Sequence, residues 1–276
     1  MEEGNELMVT RILRPEFVTD GCVLDLKMDE GEGVVAPDTS GQGNHGNLKP
    51  GPAPNYPTWV DGKFGKALSF DGVDDYVDIP YNFGQPNELT IELWFKTTEA
   101  SWDTIFGQTN IQPPSAASAY ISVFAIKDTG VLRAELWTGS RQEISTSFSV
   151  RDGNWHHAVM VGNVNIQSLY VDGQLIGSRD GTISQTWWLY SFIGTGFDGT
   201  ARGFPANTWH YFNGLIDEVR IYNRALSMQE IQWLYQFPYD NLIVEPLRKF
   251  WFMPEVAAGE GLSIPVAMNH YRRLRS

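Results

Sequence analysis

LTIELWFKT (89–97) is the stretch whose reading settles the architecture. Ile91, Leu93 and Phe95 fall on one face of an extended chain, and Glu92, Trp94 and Lys96 fall on the other. That period of two marks a strand with one buried face. Leu132, Ala134 and Leu136 repeat the alternation against Arg133, Glu135 and Trp137. Further apolar runs lie at Tyr120 to Ile126, Ala158 to Val161, Leu169 to Val171, Leu189 to Ile193 and Leu215 to Ile221. Between Tyr170-Val171 and Leu175-Ile176 stands Asp172-Gly173, a two-residue hairpin signal, because both turn positions need positive φ. Gly41-Gln42-Gly43-Asn44 and Asp71-Gly72 mark other tight bends. One segment favours helix. Ser227 is a good N-cap, Glu230 follows as in a capping box, and Met228, Ile231, Leu234 and Tyr235 keep helical spacing until Pro238. The expected fold is all-β: a two-sheet antiparallel sandwich or jelly roll, one short C-terminal helix and extended terminal arms.

Composition narrows the function. With 42% hydrophobic and 13% aromatic residues, the 276-residue chain can build a sizeable core. A net charge of -13 excludes a nucleic-acid partner, because that field repels phosphate. No run approaches the ~18 apolar residues of a membrane helix, so no membrane insertion is expected. Cys22 is the only cysteine, which excludes an intrachain disulfide and a cysteine-based metal site. The first twenty residues, MEEGNELMVTRILRPEFVTD, have no basic segment followed by an apolar run, so no signal peptide is visible.

Seven motifs stand in order along the chain: LKMDEGEG (26–33), DTSGQGNHGNL (38–48), GKFGKALSFDGVDDYVDIP (62–80), LTIELWFKT (89–97), NWHHAVMV (154–161), LYVDGQLIG (169–177) and FNGLIDEVRIYNRALSMQEI (212–231). Together, over about residues 21–238, they resemble the laminin-G-like jelly roll of the concanavalin-A-like lectin superfamily. Residues 1–20 and 239–276 are then flanking arms. The resemblance implies two stacked antiparallel sheets, one of them curved, with variable loops at the rim. It also implies a structural calcium ion joining the first loop to the last strand. Asp38 and Asp217 match that role by motif, with Asn44 beside them. The residues agree in part: Asp217 shares strand parity with Leu215, Val219 and Ile221, and a carboxylate on an apolar face is costly unless paired or metal-bound. The glycine-containing loop Asp38 to His45 could fold its carbonyls around such a cation.

Catalysis is not expected. The sandwich glucanases of the superfamily set two or three acids alternating on one strand, whereas TIELWFK offers only Glu92. There is no Gly-x-Ser-x-Gly elbow and no phosphate-cradling loop. His156 and His157 are adjacent on a strand and point to opposite faces, so they read as structural, with Trp155 as a core anchor. Asp74 and Asp75 read as caps for turn amides.

A ligand surface can be drawn from aromatic and hydrogen-bonding residues, which suit sugar faces and protein hot spots. Its candidates are Trp102, Arg133, Trp137, Arg141, Trp187, Trp188, Tyr190 and Trp209. The C-terminal arm carries Phe250, Trp251 and Phe252 and then Arg272, Arg273 and Arg275, an aromatic and basic pattern suited to docking on another protein subunit. Two readings follow. One is a surface or decoration component of a larger assembly, such as a virus or phage particle, that binds glycan. The other is a free-standing or cell-surface carbohydrate-binding adhesin domain. The tail is loosely similar to those that follow such modules in phage-like proteins. An extracellular or virion-surface location without a leader fits the first reading.

Overall fold

The computed structural model describes residues 19–51, 55–80, 86–184, 189–198 and 207–236 in full, and the backbone of 7–9, 12–13, 243–244 and 248–250. Strands are numbered in chain order. Sheet I runs β13 (Ile144–Ser149), β12 (Val131–Ala134), β11 (Tyr120–Ile126), β10 (Asp103–Thr109), β17 (Tyr190–Ile193), β8 (Tyr76–Ile79), β5 (Gly46–Lys49) and β4 (Val35–Ala36). Sheet II runs β16 (Gln174–Asp180), β15 (Ile166–Val171), β14 (His156–Asn163), β9 (Leu89–Lys96), β20 (Asn213–Tyr222), β7 (Lys66–Asp71) and β6 (Thr58–Asp61), and β3 (Cys22–Leu26) also pairs with β20. All the pairings are antiparallel.

The alternation in β9 does what its sequence requires. Ile91, Leu93 and Phe95 enter one apolar core with residues of both sheets, among them Phe106, Phe124, Met160 and Ile216. The Asp172-Gly173 turn has both residues at positive φ, 50° and 72°. The expected capping box is present: Ser227 N–H donates to Glu230 Oε2 at 2.7 Å, and Glu230 N–H donates to Ser227 Oγ at 3.3 Å. It starts α1 (Met228–Gln236), whose Ile231 and Leu234 bury against Val159, Val161 and Tyr222 on the outside of sheet II.

Two alternations break. In β20 the register shifts between Asp217 and Arg220, and Glu218 has φ 49°. This bulge reverses the parity of the strand. Ile216, Val219 and Ile221 face the core, so Asp217 does not share their apolar face as the regular pattern predicts. After β12 the backbone leaves the ladder, and Trp137 turns back to pack half-buried against the core instead of pointing out with Arg133.

A hairpin made of β18 (Thr195–Asp198) and β19 (Thr208–Tyr211) lies over the outer face of sheet I at β10 and β11. The chain turns into it at Gly194, φ 83°. Its backbone approaches so closely that a Cβ on Gly107 would stand 2.5 Å from the Thr195 carbonyl oxygen and 2.7 Å from Gly196 Cα.

The terminal segments form a separate unit. Here β1 (Leu7–Val9) pairs with β22 (Arg248–Phe250), and β2 (Ile12–Leu13) pairs with β21 (Ile243–Val244). The two ends expected as arms are therefore each other's strand partners.

The contact at Gly107 is backbone against backbone and has no side chain that can yield. Gly107→Ala is expected to lower stability by about 1–3 kcal/mol, as overpacking does, read as an earlier urea midpoint.

Candidate functional site

The centre of the outer face of sheet II is closed. Arg220 has 1% exposure and stands in the ladder between Asp25 of β3 and Glu92 of β9. Its Nε lies 2.9 Å from Asp25 Oδ1, Nη1 donates to Glu92 Oε1 at 3.1 Å, and Nη2 donates to Glu218. His157 Nε2 meets the other Glu92 oxygen at 2.9 Å. Trp94 stacks on His157 at 5.0 Å, and Tyr235 of α1 stacks on Trp94 at 5.6 Å. Glu92, with 1% exposure, is thus held between a guanidinium and an imidazole beneath the helix. His156 faces elsewhere, with Nδ1 at 2.8 Å from Asp172 and Nε2 at 3.2 Å from Asp152.

The outer face of sheet I carries a strip of rings. Arg141 lies over Tyr120 at 4.9 Å, Tyr120 meets Phe197 at 5.3 Å, and Phe197 meets Trp209 at 5.5 Å. Trp209 then meets Phe192 at 5.7 Å, and Phe192 touches both Tyr190 at 6.3 Å and Tyr76 at 5.5 Å. Phe192 and Phe197 are buried and form the floor, while Tyr120, Tyr190, Trp209 and Tyr211 keep part of their rings in water.

One end of the strip is locked by charge. Arg141 Nη1 lies 3.3 Å from Asp198 at the end of β18, and Arg133 Nη1 lies 3.0 Å from Glu135. Arg133 and Glu135 have 3% and 0% exposure, so this end holds the hairpin down and offers little to a ligand. The other end is open. Trp209 Nε1 donates to the Ser115 carbonyl at 3.0 Å, and Gln112 of the same loop donates to Asp78 of β8 at 3.0 Å. Half-exposed Tyr190, Trp209, Tyr211 and Asp78, with exposed Gln112, therefore converge from β17, β19, β8 and the 110–118 connection. Aromatic faces bordered by a carboxylate and an amide can stack on a sugar ring and hydrogen-bond its hydroxyls.

Residues 71–232 match the Laminin_G_3 family, described as the Concanavalin A-like lectin/glucanases superfamily. The chain belongs to that family. Among solved structures, domain 4 of AbnA, a GH43 extracellular arabinanase from Geobacillus stearothermophilus in complex with arabinotriose, is similar at TM-score 0.56 and 20% identity. That likeness covers 78% of this chain and 98% of that one. The binding domain of Paraclostridial Mosquitocidal Protein 1 is similar at TM-score 0.55 and 18% identity, over 79% of this chain and 52% of that one. The binding domain of Botulinum Neurotoxin DC in complex with SialylT is similar at TM-score 0.52 and 16% identity, over 79% and 51%. This laminin-G-type chain spans about half the length of those toxin domains. No curated protein matches its sequence. At these identities the likenesses establish the two-sheet jelly roll.

Of the residues singled out from sequence, Arg133, Arg141, Tyr190 and Trp209 come onto the one strip, Arg133 and Arg141 at its locked end. Trp102 is half-buried in the connection into β10, and Trp137 packs on the core. Trp187, Trp188, Trp251, Phe252, Arg272, Arg273 and Arg275 lie outside the described residues, and Phe250 is described by its backbone alone. Tyr76, Asp78, Gln112, Phe192 and Phe197 were missed.

The calcium donors fit a cation poorly. Asp38 already accepts four hydrogen bonds: Oδ1 from the amides of Asp25 and Ser40, and Oδ2 from Ser40 Oγ and the Asn44 amide. Asn44 turns its side-chain amide to the Val23 carbonyl. Asp217 Oδ2 accepts from the amides of Lys63 and Phe64 in a different turn. The two carboxylates share no partner, and both serve as staples for loops.

Asp217 has 0% exposure and an Oδ1 without a hydrogen-bond partner, and burial pushes its pKa up to about 8 from an ordinary 3.8. An acid whose pKa is higher in the folded state binds its proton more tightly there. Its contribution to stability is complete below about pH 4 and is lost as pH rises through about 8. Asp217 is expected to lower the unfolding free energy by on the order of 5 kcal/mol between pH 4 and 9, at ~1.4 kcal/mol per pKa unit. Asp217→Asn should flatten most of that slope in urea titrations. Asp38→Ala is expected to cost about 2–4 kcal/mol through its orphaned amide donors, equally in calcium and in chelator.

Proposed function

We propose that this chain is a non-catalytic glycan-binding module whose sugar site is the open end of the sheet I strip. The observation that carries the reading is the convergence of Tyr190, Trp209 and Tyr211 with Asp78 and Gln112 beside a floor of buried rings. The fold's neighbours support it, since one is described with arabinotriose and another with SialylT. Glu92 is spent on Arg220 and His157, which supports binding without hydrolysis.

A second observation favours a role in a larger assembly, such as the surface of a virus or phage particle. The two chain ends pair strand to strand, so one terminal unit presents both segments to other subunits. The aromatic and basic composition of residues 250–275 suits that docking. The phage-like arm, the virion-surface location and the decoration role belong to this reading.

Trp209→Ala and Tyr190→Ala are each expected to lower retention on a glycan microarray at least tenfold, the range for an aromatic anchor, with near-unchanged circular dichroism. A wild-type chain that retains no glycan would sink the reading. For the terminal unit, deleting residues 1–13 should change the particle mass seen by light scattering as much as deleting 242–276 does.

A further inference from the structure

We propose that the sheet I site takes neutral saccharides and rejects glycans that end in a carboxylate or sulfate. This rests on the glycan reading and adds the class of sugar.

The negative charge around the open end is fixed in place. Asp71, Asp74 and Asp75 bring carboxylate oxygens within 4.8 Å of one another in the turn that feeds Tyr76. Two of the three are tied: Asp71 Oδ1 accepts the Val73 amide at 2.8 Å, and Asp75 Oδ2 accepts the Asp71 amide at 3.1 Å. The rings feel this charge. Burial raises the Tyr211 hydroxyl to about 12, and Tyr76 and Asp74 add to it. Burial raises Tyr76 as well, with Asp78 adding. Tyr211 thus feels Asp74, and Tyr76 feels Asp78.

The positive charge nearby is already spent. Lys49, across the ladder from Tyr76, acts on Asp78. At the far end of the strip Arg133 and Arg141 are closed against Glu135, Glu143 and Asp198, with Lys127 on Glu143. Within that network three cations meet three acids, and Arg179 Nε is taken by the Glu143 carbonyl at 2.8 Å. The whole chain adds a net charge of -13. A neutral sugar hydroxyl, by contrast, can donate to Asp78 and accept from the Gln112 amide. A few unit charges within about one Debye length of an incoming anion amount to roughly tenfold in affinity near a protein surface.

The test uses matched pairs of oligosaccharides, each a neutral glycan and the same glycan carrying terminal sialic acid, titrated against the full chain at ~50 and ~500 mM salt. The neutral member should bind at least about tenfold tighter at low salt, and the gap should shrink at high salt. Asp74→Lys, at an exposed position that leaves the core untouched, should narrow the gap severalfold. Sialylated forms binding equally or more tightly would overturn the proposal, as would a gap that ignores both salt and Asp74→Lys. Failure of every pair to bind would overturn the glycan reading on which it rests.

Discussion

Arg220 is almost wholly out of water, and a guanidinium cannot shed its charge to suit that position. The centre of sheet II is arranged around this demand. Asp25 on β3, Glu92 on β9 and Glu218 on β20 each give it a carboxylate oxygen, so one residue links three strands. An unmatched buried ion costs several kcal/mol, which makes the set all-or-nothing. The bulge at Glu218 is what makes the geometry possible. It keeps Ile216, Val219 and Ile221 in the core while turning Asp217 and Arg220 outward, and it brings Glu218 to the guanidinium. With Glu92 committed, His157 has a fixed acceptor, and its ring becomes the shelf on which Trp94 and then Tyr235 stack.

That commitment separates the work of the two sheets. Sheet II spends its outer polar residues on internal pairing and covers them with α1. Sheet I lays a hairpin across β10 and β11 and seals one end with Arg141 and Asp198. What stays reachable is the opposite end, where rings are half-exposed and side-chain acceptors and donors face water. The proposed recognition surface therefore sits where the structure has the fewest internal obligations. The glycine at position 107 belongs to the same logic, because any side chain there would lift the hairpin whose Trp209 borders the site.

Features set by neighbours in the chain were legible in the sequence: the alternation of β9, the Asp172-Gly173 hairpin, and the capping box at Ser227 and Glu230. Features set by distant partners were not. A bulge leaves no period of its own, so Asp217 reads as core-facing until the backbone of Glu218 is seen. Trp137 reads as outward because β12 ends three residues earlier, and nothing local announces that ending. The aromatic strip is drawn from Tyr76, Tyr120, Phe192, Phe197 and Trp209, which are spread over nearly half of the chain, so half of its members looked like ordinary strand residues. Asp38 was singled out as a calcium ligand by motif, whereas its carboxylate accepts loop donors in the structure; spacing alone does not distinguish an acid that gathers amides from one that gathers a metal.

The same distinction explains the chemistry of the open end. Carboxylates in this molecule divide by what meets them. Asp25, Glu92 and Glu218 meet a guanidinium, Asp38 and Asp217 meet backbone amides, and Asp78 meets a side-chain amide at the surface. Of these six, only Asp78 leaves oxygen lone pairs near water and beside exposed rings. A carboxylate in that position prefers a donor without charge of its own sign, and a sugar hydroxyl is such a donor. On the proposed reading, recognition would follow from the acids that folding left over, which would tie the specificity of the site to the charge balance that holds the two sheets together.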